Sequence, residues 1–373
     1  MNFVKRKLLH FAFFAIAVGF ILVAHFYFSD YGKSIANNIA IFIILAISYN
    51  LINGVTGQFS LEPNGFVAVG AYVAALILLN ADAKAYQFDL EDPAPFILAI
   101  HSSSFVFAML MGGVFATLLA LILSFPVFRV RGDYLAIVTL GFGFIIQLLA
   151  VNFPAYTNGS LGLIGIQSVD ENGDKSAYAN ILYTGFIAIL AVIVVLNLVY
   201  SKFGRAMKAV RDDEDAALAM GINTFAAKTT AFCTSAFFEG VGGVLLVGLL
   251  GSVSPEQFTF FFTFQLLIII VLGGLGSTTG AIIGTILVMG GSEWLRFLDE
   301  PMNIFGYTTP ALPGLRMVVF SVILILVMLF ARSGIMGRNE LTDIIEKAKN
   351  IKKIKILNRL RPAKLRSKKG GEK

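Results

Sequence analysis

The sequence predicts an all-α fold, a polytopic transmembrane helical bundle of about ten spans that includes broken or re-entrant helices. Three observations predict it. First, 57% of the 373 residues are hydrophobic and only 14% are charged, against roughly 25% charged in an average soluble domain. Such a chain lacks the polar residues to cover a water-facing surface, so lipid must solvate most of it. Second, apolar runs of about 20 residues, the length that crosses a bilayer, recur near 8–28, 35–54, 62–80, 103–125, 133–153, 178–200, 224–251, 258–275, 280–297 and 314–332. Third, many of the 36 glycines lie inside these runs, where small residues let helices approach in a solvent that supplies no hydrophobic drive between them.

The first run follows Lys5-Arg6-Lys7, as in a secretory signal, but extends from Leu8 to Phe28 with no A-x-A site after it. Signal cores are about 7–15 residues long, so this is read as an uncleaved first span. Near the C-terminal end, the apolar run from Phe258 to Gly290 is interrupted by GGLGSTTG, Gly273 to Gly280, a tight turn or a re-entrant loop. With the N-terminus inside, the cytoplasmic pieces 1–7, 126–132, 201–223 and 331–373 hold 3, 2, 4 and 14 basic residues, whereas the opposite side holds Lys33, Lys84 and Lys175. Basic residues collect in cytoplasmic loops, so both termini are expected inside. The chain divides into a membrane domain, 1–332, with a cytoplasmic loop at 201–223, and a basic tail, 333–373. From Ala331 the chain carries 14 basic and 4 acidic residues. Anionic lipid retains such a segment at about 1 kcal/mol per Lys or Arg, with no nucleic acid required.

Several chemistries are missing from the sequence. No GxxxxGK[ST] loop occurs to cradle ATP, and the spacing from Gly274 to Gly280 does not fit a dinucleotide fingerprint. His10, His25 and His101 are too scattered for a metal site, no catalytic constellation is visible, and neither metal nor cofactor is expected. The single cysteine, Cys233, is read as a small packing residue. Glu62 and Glu239 are the clearest ionisable residues within spans. As two isolated carboxylates they make a poor proton relay, which weighs against an ion-coupled carrier. A charge facing lipid at mid-bilayer costs about 3 kcal/mol or more, so Glu239 is expected to face the bundle interior or a partner subunit.

The most informative hydrophilic piece is Lys202 to Asn223, KFGRAMKAVRDDEDAALAMGIN. Its Ala, Met and Leu residues predict a short helix, Gly221 supplies a stop, and Lys208/Asp212 and Arg211/Asp215 stand at i,i+4. In Asp215-Ala216-Ala217-x-x-x-Gly221 the small residues allow another protein to approach closely. The charges of Arg205, Arg211, Asp213 and Glu214 would set its register. The plainer reading is a loop that only joins two spans.

This segment resembles the coupling loop of ATP-binding-cassette importer permeases, which usually reads Glu-Ala-Ala-x-x-x-Gly. GQFSLEPNGFVAVGAY (Gly57 to Tyr72), RGDYLAIVTLGFG (Arg131 to Gly143) and VSPEQFTFFFTFQLLIIIVLGGLGSTTGAIIG (Val253 to Gly284) are similar, in that order, to signature blocks of the second permease subunit of branched-chain amino-acid importers. The resemblance runs over most of residues 35 to 330, with these blocks spread along it. The resemblance implies a multi-pass bacterial inner-membrane permease for leucine, isoleucine and valine, without catalysis of its own. Its implied partners are two ATPase subunits, a sister permease and a periplasmic or lipid-anchored amino-acid-binding protein. Two departures bear on substrate: Leu61-Glu62-Pro63-Asn64 stands where the family commonly has Leu-Gly-His, and Phe144 where it often has Glu.

Gln58, Ser60, Asn64, Tyr134, Thr139, Gln147 and Glu239, with Gly141 and Gly143 as points of backbone exposure, are the candidate substrate path. Polar groups inside apolar spans either line a wet path or join helices to one another. A urea or short-amide permease of the same family is the alternative function. An ion-coupled carrier, less favoured, would need no coupling helix.

Overall fold

The computed structural model describes residues 3–88, 95–130, 132–169, 175–299, 303–304, 307–308, 314–331, 333–337 and 339–340. Arg131 and the tail from 341 onward lie outside the described residues. The fold is an all-α membrane bundle. Its principal helices are α1 (Phe3–Tyr27), α2 (Asp30–Asn50), α3 (Pro63–Leu78), α4 (Ala81–Gln87), α5 (Phe105–Val127), α6 (Asp133–Asn152), α7 (Ile181–Tyr200), α8 (Lys202–Asp212), α9 (Glu214–Ala219), α10 (Thr224–Leu250), α11 (Phe260–Gly273), α12 (Thr278–Thr285) and α13 (Leu315–Phe330).

Each expected apolar run contains a helix, but they are not ten equal spans. Among the described residues six helical stretches are long and apolar enough to cross a membrane: Asp30–Thr56, Phe105–Val127, Tyr134–Asn152, Ile181–Tyr200, Thr224–Leu250 and Thr278–Asp299. A seventh is formed if α3 and α4, bent by 116° at their junction, count as one. Ala17–Tyr27, Phe260–Gly273 and Leu315–Val327 are apolar but shorter. GGLGSTTG is a turn between α11 and α12, with Gly274 and Gly276 at φ 119° and 88°, and Gly273 and Gly280 touch where the two helices separate.

Two helices form the centre. In α2 and α10, 78% and 72% of the apolar window is buried, against 33% for α5, α6 and α7, which turn most of their surface outward. Glycine sets the spacing of the centre. A Cβ on Gly70 of α3 would stand 2.1 Å from the Gly240 carbonyl oxygen of α10, and one on Gly243 would stand 2.1 Å from the Val67 carbonyl oxygen. Side chains there would force the backbones apart. Phe66 joins the layers above, with ring centroids 5.0 Å from Phe142 of α6 and 5.4 Å from Phe232 of α10.

Continuity fails at the end of α2. Residues Leu51–Thr56 form a π-helix that stops at Gly57, φ 72°, and the chain crosses without helical structure to Pro63, the first residue of α3. Proline is tolerated there because the first helical N–H has no intrahelical partner in any case. The break leaves Ser60, Glu62 and Asn64 inside the protein rather than on a helix surface, and all three are buried.

Candidate functional site

The loop between α7 and α10 is two helices rather than the single helix expected. Ser201 caps α8, its hydroxyl accepting from the amides of Phe203 and Gly204. Asp213 interrupts the run. With φ −161° and ψ 111° it leaves the helical region, and its Oδ1 accepts the Ala216 amide at 2.9 Å, starting α9 as an N-cap. Gly221, at φ 78°, ends α9, with Gly221 N–H donating to Leu218 and Ile222 N–H to Ala217. This is the paired closure of a glycine C-cap.

The residues expected to meet another protein divide between two faces. Ala217 does not face outward: it is buried with Val210 and Ala227, so the expectation that it permits close approach is corrected. Glu214 and Arg211 are also turned inward. The Lys228 ammonium of α10, 5% exposed, lies 2.7 Å from Glu214 Oε1. Arg211 donates to the Gly54 carbonyl of the π-helix at 3.3 Å and pairs with Asp212 at 2.9 Å. Arg205, Asp213, Asp215, Ala216 and Gly221 are exposed. Beside them stand Leu218 and Met220, 46% and 81% exposed, and a Cβ on Gly221 would meet nothing within 4 Å. The outward surface is therefore small and apolar at its centre, with charge at its edge.

The inward contacts lead to a single junction. Asn50 Oδ1 accepts the Gly276 amide at 2.9 Å, joining the end of α2 to the α11–α12 turn. Gly276 also borders Arg211 and the Gly54 carbonyl. On the other side of the turn, Ile335 and Met336 amides donate to Leu272 and Gly273 carbonyls. Glu340 accepts the Thr278 amide at 2.6 Å and the Thr279 amide at 3.0 Å. A carboxylate at the amino end of a helix satisfies otherwise orphaned amides and favours the dipole. Contacts thus run without interruption from α8 to the break in α2 and to the turn before α12.

Most of the candidate path residues make contacts between segments of the chain. Thr139, buried, accepts the Leu61 amide at 2.9 Å and donates to Leu135 at 3.0 Å. Asn64 donates to the Phe258 carbonyl at 3.1 Å and accepts from Thr263 at 3.1 Å, and Gly143 is the residue that leaves room for it, a Cβ there standing 2.3 Å from Asn64 Oδ1. Ser60 bonds through its backbone to Asn53 and Tyr49. Gln147 reaches the Pro255 carbonyl at 3.4 Å. These residues join broken helices to one another. Gln58 is half-buried, Tyr134 is 72% exposed on the outside of α6, and Gly141 faces open space. Glu239 is fully buried, as expected of an interior residue.

A cleft of about 460 Å³ lies elsewhere, at the α2 N-terminus and the α10 C-terminus. The 27 residues of α10 separate it from α9 by about 40 Å at 1.5 Å per residue. Ile35, Phe42, Leu246, Phe262 and Met289 supply apolar walls. At the rim, Tyr31 donates to Glu293 Oε2 at 2.8 Å, and the Arg296 guanidinium lies 5.0 Å from the centre of the Tyr31 ring and donates to its hydroxyl. None of the expected path residues lines it.

Comparison with known proteins decides the family. Residues 31–328 match the model of the family described as branched-chain amino acid transport system / permease component. The chain belongs to this family. The chain is 34% identical to the high-affinity branched-chain amino acid transport system permease protein LivM of Salmonella typhimurium, over 80% of this chain and 70% of that one. It is 33% identical to LivM of Escherichia coli over the same shares. It is 26% identical to the permease protein LivH of Salmonella typhimurium, over 81% of this chain and 93% of the relative. No solved structure matches it. The chain is a permease component of an ATP-binding-cassette importer, and such a system implies a sister permease.

For this permease, sequence reasoning missed Asn50, Asn53, Lys228, Leu218 and Met220. Asn50 and Asn53 carried the same signal as Gln58, polar groups within an apolar run. Lys228 was visible as a lone cation inside an apolar run, but its partner, 14 residues away on α9, was not. Leu218 and Met220 read as helix formers, and only the break at Asp213 shows which way they face.

Proposed function

We propose that this permease carries leucine, isoleucine and valine inward across the bacterial inner membrane, driven by ATP hydrolysis on two separate ATPase subunits. Its two termini are cytoplasmic, and it pairs with a sister permease as a heterodimer. A periplasmic or lipid-anchored amino-acid-binding protein delivers substrate, and anionic lipid holds the basic tail, 333–373.

The observation that carries this reading is the α8–α9 segment. It presents Ala216, Leu218, Met220 and Gly221 outward while Lys228 and Arg211 pin its other face to the bundle. A short rigid element of small and apolar residues fits a groove on another protein, and the inward pins carry the displacement of that protein to α2, α10 and α12. An ion-coupled carrier has no use for such an element. The names of the LivM and LivH relatives support the substrate class. The cleft supports it as well. Its aliphatic and aromatic walls suit a branched side chain, and Glu293 with Arg296 at the rim offers both signs of charge to a zwitterion. Urea, small and polar throughout, would gain nothing from the apolar wall.

The test is uptake. Removing the chain should abolish uptake of leucine, isoleucine or valine at micromolar concentrations in whole cells. Unchanged uptake of all three, together with lost uptake of urea, would move the assignment to the short-amide alternative.

A further inference from the structure

Glu62 and Glu239 stand 177 positions apart in the sequence, Glu62 immediately before α3 and Glu239 on α10, the helix against which α3 packs at Gly70 and Gly240. Both are 0% exposed. Both carboxylate oxygens of Glu62 and one of Glu239 have no hydrogen-bond partner, and neither does the buried Ser60 hydroxyl. Glu239 Oε1 accepts from the Ser235 hydroxyl at 2.9 Å, and Ser235 in turn bonds the Ser48 carbonyl at 2.7 Å. The next residue, Tyr49, donates its phenol to the Ser60 carbonyl at 2.7 Å, two positions before Glu62.

No cation of the described chain answers these carboxylates. Lys228, the one cation of α10, stands eleven residues from Glu239, roughly 16 Å along the helix, and is paired with Glu214. Arg211 is occupied by Asp212 and the Gly54 carbonyl. Helices α5, α11 and α12, packed around the same centre, contain no ionisable side chain. An ion taken from water into a protein interior costs several kcal/mol unless it is paired, and two like charges side by side cost more. The arrangement is stable only if positive charge enters it from outside the chain.

We propose that Glu62 and Glu239 form an internal site for one monovalent cation, a proton or an alkali-metal ion, between α3 and α10. The chemistry is the same for either occupant, oxygen ligands of net negative charge closed off from water. Occupancy locks α3 to α10 and so holds together the two halves of the bundle that meet at Gly70 and Gly240. The proposal is independent of which amino acid is carried.

The test uses the complete chain in lipid nanodiscs at pH 7.5, without substrate, in choline chloride of constant ionic strength. In one arm, sodium, potassium or lithium replaces choline and the unfolding midpoint is followed. A bound ion raises it in a saturating, ion-selective way, because a ligand of the folded state alone stabilises it by mass action, and Glu62→Gln removes the response. In the other arm, infrared spectroscopy seeks a protonated-carboxyl band that persists at pH 7.5 and is lost in Glu239→Gln or Glu62→Gln. A positive first arm assigns a metal ion, and a positive second arm a proton. Either supports the site. A wild-type chain with no protonated-carboxyl band and no ion-specific stabilisation overturns it, and that outcome is read on the wild type alone, whether or not the variants fold.

Discussion

Lys228 and Glu214 form an ion pair 2.7 Å long across the joint between helix α9 and the start of α10. The lysine is 5% exposed and the glutamate side chain 26%. A pair so placed is held by its geometry, because the lysine, once buried, has no water to fall back on. It makes α9 a continuation of α10 rather than a tethered loop.

Replacing Lys228 with Met should therefore loosen α9 without unfolding the bundle. The pair is partly wet, so the expected loss is about 1–3 kcal/mol, below that of a fully buried pair. The permease should insert and purify normally, and ATPase subunits should still bind. The number of ATP molecules hydrolysed per substrate transported should rise. Unchanged stoichiometry would show that the pair carries no displacement.

The glycine contacts make a contrasting pair of stability predictions. Gly70→Val puts side-chain atoms where the Gly240 backbone stands, and overpacking of this kind costs about 1–3 kcal/mol or more. Gly141→Ala meets nothing within 4 Å and should be neutral, within about 0.5 kcal/mol. Thermal unfolding followed by size-exclusion chromatography separates the two. Equal midpoints would refute the close-contact account of α3 and α10.

Much of this fold was legible from residue patterns, for reasons that differ by element. Apolar length placed the membrane helices, because lipid leaves no alternative to a helix for a run of this kind. The π-helix at Leu51–Thr56 and the 116° bend after Leu78 were not legible, since both answer to contacts from distant residues such as Gly276 and to the packing of the bundle. The Asp215–Gly221 motif was visible as a pattern. Its orientation was not, and Ala217 belongs to the core because Asp213 resets the helix phase before it. Glu62 and Glu239 were seen singly. Their adjacency depends on three-dimensional contact between α3 and α10, which no local pattern encodes.

Residues 333–337 and 339–340 dock on the α11–α12 turn, and Glu340 supplies the side-chain part of that contact. Loss of its carboxylate in Glu340→Ala removes two acceptors from the amino end of α12. Helix caps are worth about 0.5–2 kcal/mol. Hydrogen exchange at Thr278 and Thr279 should speed up accordingly, while that of α2 stays slow. Equal exchange in variant and wild type would mean the clamp does not form.

Sidedness can be read with impermeant thiol reagents in a Cys233→Ser background. Tyr86, on α4, and Met220, after α9, are both largely exposed to solvent. Cysteine at 86 should label in intact cells and cysteine at 220 only after permeabilisation. The reverse pattern would invert the proposed topology.

Whether the outward face of α9 receives force from a separate ATPase is read by ATP-driven leucine uptake into proteoliposomes holding the complete importer. Ala216 is exposed on that face. Ala216→Trp should separate the docked surfaces. Loss of about 3 kcal/mol of interface energy weakens assembly by a factor on the order of 100, so uptake should fall to the level seen without ATP while the permease remains folded in the membrane. Uptake by the Ala216→Trp importer at the wild-type rate would contradict the account.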